Sequence, residues 1–164
     1  MLRLHDTPWL NETWSANDIV LLGHNLSPSD QPYISRTFSS IQPITQASIK
    51  KHRIIKNTTI FAFGVASLEI FHSKRLKTFE TPYDLEEQGK RTMWTDYFIA
   101  DRLVGDIHKR ELPNFANVTR RCVHCNFDGT VYSLDDDDFR ERFNQGVIVP
   151  LQQDYDYAMM PVPG

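Results

Sequence analysis

An excess of one charge, a long apolar run, a leader pattern and a cysteine framework are all missing from this chain, and each absence removes a class of protein. Lys and Arg number 18 against 21 Asp and Glu, a formal net charge of −3 with a pI near 6.0, so only a local patch could serve a nucleic-acid binder. No apolar stretch reaches membrane-spanning length, and Met1-Leu2-Arg3-Leu4-His5-Asp6 has no signal-peptide pattern, which predicts a soluble, unexported, cytoplasmic protein with no membrane partner. The two cysteines, Cys122 and Cys125, sit three positions apart, too close in a helix for easy disulfide geometry, as in a reduced intracellular protein. There is no internal repeat, no low-complexity tract and no Gly-x-Ser-x-Gly nucleophile elbow.

What is present is a core. A hydrophobic content of 40%, with ten Phe, six Tyr and three Trp in 164 residues, fits one domain able to bury an interior. Its organising stretch is residues 57–71, Asn-Thr-Thr-Ile-Phe-Ala-Phe-Gly-Val-Ala-Ser-Leu-Glu-Ile-Phe. Asn57 or Thr58 can cap a helix start by accepting from a first-turn amide. Phe61, Val65 and Leu68 share one face, Ile60, Phe63 and Ile70 fill the others, and Glu69 alone is charged, so the stripe of a surface helix is lacking and a central, buried helix is predicted. Gly64 costs about 1 kcal/mol of helix propensity relative to Ala, recoverable if a neighbouring backbone must come close there.

Around that helix the pattern is mainly α. Residues 2–5 read as the last turn of a helix whose beginning is absent, which predicts a domain truncated at its N-terminus. Residues 18–22, Asp-Ile-Val-Leu-Leu, predict a short strand, and residues 24–46 a long irregular loop. Lys50, Lys51, Arg53 and Lys56 form a basic cluster, readable as a solvated approach or as a docking patch for an anionic partner. A short helix is expected at residues 82–87, and a firmer one capped by Thr95 with a stripe of Tyr97, Ala100, Val104 and Ile107. A third helix is marked by Phe115, Val118, Cys122 and Cys125; a fourth starts from a Ser133/Asp136 capping pattern and ends at Gly146. The domain is expected over residues 1–153, with a frayed tail at 154–164.

Several ligand patterns are incomplete. Cys122-x-His124-Cys125 supplies three candidate zinc ligands where a structural site needs four, and with His124 on a different helix face, packing of Cys122 and Cys125 competes with metal binding. Residues 124–135 come near a calcium loop through Asn126, Asp128, Gly129 and Val131, but begin with His and end with Asp, a poor cage for a hard cation. The four Asp at 135–138 suit a helix N-terminus. Cys122 and His124 are too close in sequence for the spatial pairing that activates a thiol. Trp9 and Trp14 read as anchors, because a base-stacking platform combines aromatics with a basic groove.

The order of motifs resembles a known family. Leu4-His5, then Leu10-Asn11-Glu12-Thr13-Trp14 and Asp18-Ile19-Val20-Leu21-Leu22, resembles the protein-kinase segment that runs from a helix end through the catalytic loop into a strand. Phe61-Ala62-Phe63-Gly64-Val65-Ala66-Ser67-Leu68-Glu69-Ile70 is similar to the kinase's buried central helix, and Arg121-Cys122-Val123-His124-Cys125 to its late Cys-containing helix. More closely, Thr7-Pro8-Trp9-Leu10, Trp14-Ser15, Tyr33-Ile34-Ser35-Arg36-Thr37-Phe38, Arg120-Arg121-Cys122-x-x-Cys125-x-Phe127 and Leu134-Asp135-Asp136-Asp137-Asp138-Phe139-Arg140 resemble the fungal kinase-like domain of unknown function DUF7580, often carried behind a HeLo-type segment. The resemblance implies a mainly α, kinase-like C-terminal lobe with a central buried helix at about 58–71 and a minor N-terminal strand or hairpin.

It also implies an inactive one. Along the match, His-Arg-Asp is replaced by Asn11-Glu12-Thr13, the catalytic-loop Lys by Ser15 and the metal-holding Asn by Asp18. A Thr hydroxyl is too weak an acceptor to act as base near neutral pH. Asp-Phe-Gly, a Gly-rich loop and a strand Lys are missing too. The expectation is a pseudokinase-like regulatory module with a protein partner and no catalytic residue, cofactor or nucleic acid. Its rivals are a fragment of an active kinase-like enzyme lacking its nucleotide lobe, and a decaying fragment without function.

Overall fold

The computed structural model of the chain describes residues 14–21, 32–35, 55–86, 89–107 and 113–160. Asn57 opens the first helix, α1 (Thr58–His72): its backbone is extended and its side chain accepts from the Ile60 amide at 2.9 Å, so of the two candidate caps it is Asn57 that acts. Because α1 is apolar all round, it is enclosed on several sides. Ile60 packs with Val118, Cys122, Phe139 and Phe143 in one cluster, and Leu68, with Phe61 and Val65, joins Ile99, Leu103 and Val123 in a second. Ala66 meets Trp14 in a third, smaller one. Full burial of a side chain such as Ile60 contributes on the order of 2 kcal/mol. Ile70 departs from expectation: it is 62% exposed and fills no interior face.

The helix ends at Ser73, which takes a left-handed conformation (φ 51°) and returns its amide to the Glu69 and Ile70 carbonyls. Glu69, the lone charge of α1, has a use here. Its carboxylate accepts from the Leu76 amide at 2.9 Å and from Arg75 at 3.3 Å, tying the 3-10 turn Leu76–Phe79 to the helix end.

Helix α2 (Met93–Ile107) starts earlier than Thr95. Thr92 accepts from the Trp94 amide at 3.3 Å while its own amide donates to Thr95 Oγ1 at 3.0 Å, so Thr95 reaches back from inside the first turn. Its predicted stripe holds, with Ala100, Val104 and Ile107 buried together with Ile99 and Leu103. Between α1 and α2 the expected short helix is a 3-10 turn, Pro82–Asp84.

Helix α3 (Pro113–Val123) lies against α1, and Gly64 is the point of closest approach: a Cβ there would stand 2.8 Å from the Val123 backbone nitrogen. The close neighbouring backbone expected from the sequence is that of α3. Cys125 lies beyond the end of α3, in a left-handed turn (φ 46°), and does not continue its face as the sequence suggested. Helix α4 (Asp137–Phe143) is capped by Asp136, whose side chain accepts from the Phe139 amide at 2.8 Å; Ser133 accepts from the Asp135 amide instead.

Gly146 does not end α4. The chain continues through a π-helical turn, Asn144–Ile148, into α5 (Val149–Ala158), and the Val149 amide donates five residues back to Asn144. Pro150 sits in the first turn of α5, and the wide turn before it spares the ring the collision with the preceding turn that an uninterrupted α-helix would impose. The expected boundary at 153/154 therefore falls within a helix, and only residues 161–164 of the expected frayed tail lie outside the described residues.

The strand predicted over 18–22 is β1 (Ile19–Leu21), preceded by the 3-10 turn Ala16–Asp18. It pairs antiparallel with β2 (Pro32–Ile34), Val20 opposite Tyr33, so part of the expected irregular loop is a strand. Among the described residues the architecture is mainly helical with one small two-stranded sheet.

Candidate functional site

Two places can carry function: the turn where the resemblance put degenerate catalytic residues, and a polar groove beside α3. Of the first, Asn11, Glu12 and Thr13 lie outside the described residues, while Ser15 and Asp18 are within. Ser15 caps the turn Ala16–Asp18, and Asp18 answers it: its Oδ2 accepts from the Ser15 amide at 2.7 Å and from Ser15 Oγ at 3.4 Å. This reciprocal box turns the carboxylate back onto its own backbone. Trp14 fixes the turn to α1, donating from Nε1 to the Thr59 carbonyl at 3.3 Å with its ring 6.3 Å from that of Phe63. Trp14 is thus an anchor, as expected; Trp9 lies outside the described residues.

Of the basic cluster, Lys56 is described and Lys50, Lys51 and Arg53 are not. Lys56 lies 4.5 Å over the Tyr132 ring and donates to the Tyr132 hydroxyl at 3.3 Å, while Asn57 donates to the Tyr132 carbonyl at 2.8 Å. The cation is engaged in holding the 124–135 segment to α1. In that segment Val131 is exposed, and Gly129 (φ 100°) lets the chain turn beneath the Arg142 guanidinium.

Cys122 and Cys125 are both buried free thiols. Burial pushes the Cys125 thiol up to about 11 and raises Cys122 further still, which disfavours a nucleophilic thiolate at either position. His124 is held elsewhere, its Nδ1 3.3 Å from the Tyr97 hydroxyl and its Nε2 3.5 Å from Asp101. Burial also raises the Tyr97 hydroxyl above its usual value, reinforced by Asp101. Among the described residues no three of His, Cys, Asp or Glu converge as a metal-holding group. Among the described residues the buried carboxylate with a depressed pKa is Asp84: burial pushes it up, but hydrogen bonds from Thr81 and Arg102 outweigh that. Its Oδ2 gathers the Thr81 amide, the Thr81 hydroxyl and Arg102 at 2.7–2.8 Å, which is the pattern of a structural cap.

The groove was not legible as a site. It has a volume of about 790 Å³, with Asn114, Asn117, Arg120, Arg121 and His124 from α3 and its end on one wall and Gln145, Gly146 and Pro150 on the other. Arg121 lies 5.7 Å over the Phe127 ring. The sequence did register Arg120 and Arg121, as part of a motif run, but their partner wall arrives from a π-helical turn that periodicity does not reveal.

The motif run Arg120-Arg121-Cys122-x-x-Cys125-x-Phe127 thus spans the groove wall and the buried core behind it, and the family model of a domain of unknown function, DUF7580, matches residues 1–158. The chain belongs to the DUF7580 family. No curated protein and no solved structure is significantly similar to it. The DUF7580 match includes the two-stranded sheet, helices α1 to α5 and the groove, and it ends where α5 ends, at Ala158.

Proposed function

We propose that this DUF7580 domain is a catalytically inactive, kinase-like module that works inside the cell by binding another protein, in the fungal signalling setting that the resemblance implies. The observation that carries the reading is the Ser15–Asp18 box. At Asp18, which the resemblance aligns with a kinase's metal-holding residue, the carboxylate accepts two bonds from Ser15 and closes a turn. Exposed Tyr157, Met159 and Met160 at the end of α5 support the binding role, since aromatic and Met side chains are enriched where proteins meet.

The test is turnover. Incubated with ATP and magnesium, the full chain is expected to transfer no phosphate to itself or to a general protein substrate, and measurable transfer overturns the proposal. A photo-crosslinking residue at Tyr157 is expected to give one discrete adduct that Met160→Asp abolishes. A diffuse set of adducts, insensitive to that change, removes the α5 surface from the reading.

A further inference from the structure

Helix α3 divides its residues cleanly: Ala116, Thr119, Cys122 and Val123 are buried, while Asn117, Arg120 and Arg121 are exposed and face the groove. Among the described residues no carboxylate pairs with Arg120 or Arg121, nor with Arg142 on α4, whereas Arg75, Arg102 and Arg140 each pair with one and Arg91 with two. Nor does any described carboxylate line the groove. In a chain of net charge −3, two uncompensated arginines on one concave wall make a local positive field that attracts an anion. Arg121 lies along the groove wall, its guanidinium over the Phe127 ring and beside Gly146, where a Cβ would stand 2.7 Å from Nη1. The glycine and the π-helical turn that carries it leave room for this side chain, and π-helical turns are frequent at functional sites.

The rest of the lining specifies the remainder of the ligand. Asn117, Asn126 and Gln145 offer carboxamides that donate and accept, and among the described residues no Phe, Tyr or Trp lines the groove to anchor an apolar peptide. A planar guanidinium fork matches a phosphate bidentately, and a volume of about 790 Å³ suits a small molecule. We propose that the α3–α5 groove binds a small phosphate monoester, its phosphate on Arg120 and Arg121 and its hydroxyl-bearing remainder on the carboxamides.

The reading goes beyond the non-catalytic module, which requires no such ligand. Glycerol phosphate and inorganic phosphate, titrated against the full chain at fixed ionic strength, are the probes. Glycerol phosphate is expected to bind saturably and more tightly than inorganic phosphate, shifting the amide resonances of Asn117 and Gln145. Arg120→Gln is expected to weaken it about tenfold, as loss of a charge-assisted hydrogen bond does, with an unchanged circular dichroism spectrum. Arg121→Gln is expected to do the same, with Arg121→Lys restoring only part of the affinity, because an ammonium cannot supply the fork. Absence of saturable binding overturns the proposal, as does binding that ignores both arginine substitutions; equal affinity for the two probes overturns its ester part. Because the probes contain neither nucleoside nor metal, failure here leaves the non-catalytic reading standing, and phosphoryl transfer there would leave this site standing.

Discussion

Gly64 and Gly146 stand equally close to an obstacle, with a Cβ falling 2.8 Å from Val123 in the first case and 2.7 Å from Arg121 in the second. The obstacles differ in kind. At Gly64 it is the backbone of α3 at the centre of the molecule, fixed by two clusters of side chains; at Gly146 it is the end of a flexible arginine bordering a groove. Equal distances therefore carry unequal free energies, because what matters is whether the neighbour can move. The α1–α3 contact is built for packing, and the other side of α3 for access.

The largest expected effect follows from that contrast. Gly64→Ala forces α1 and α3 apart and is expected to lower unfolding free energy by about 3 kcal/mol in urea titration; a loss below about 1 kcal/mol would erase the distinction between the two glycines. Next comes Asp84→Asn, which tests a charge buried at the edge of the same interior. Losing the carboxylate that serves Thr81 and Arg102 is expected to cost about 2 kcal/mol at neutral pH. Its folded pKa is depressed, so its stabilisation is complete above the unfolded carboxyl value and disappears as pH falls through the folded one; the gap between parent and variant should close in acid. The smallest expected stability change is Gly146→Ala, within about 1 kcal/mol, since the gain in helix propensity offsets displacement of Arg121. Its effect should fall on glycerol phosphate affinity instead, and an unfolding midpoint that drops as far as that of Gly64→Ala would mean that the groove wall is as rigid as the core.

The interior was legible in the sequence because its signals are local. An all-round apolar helix, one glycine within it and the 97/100/104/107 stripe are read from a few consecutive turns, and they found their places. Strand β2 escaped the residue pattern because Pro32-Tyr33-Ile34 is too short to alternate and sits in a polar surrounding, and a hairpin was expected only as one alternative that the resemblance implied. The π-helical turn escaped because one wide turn changes the phase without leaving a compositional mark, and Gly146, which usually signals a stop, here makes room for a side chain from another helix. The groove needs residues about 25 positions apart in the chain to meet, and no spacing rule anticipates that.

Trp14 has a consequence for how this molecule comes apart. Its indole is the main apolar peg between the small ladder and α1, in a cluster far smaller than the two on the other sides of the helix. Drawing that peg would free the ladder and leave the helical body assembled, so deuterium should enter the β1 amides by a local unlatching while those of α1 exchange only when the whole body melts.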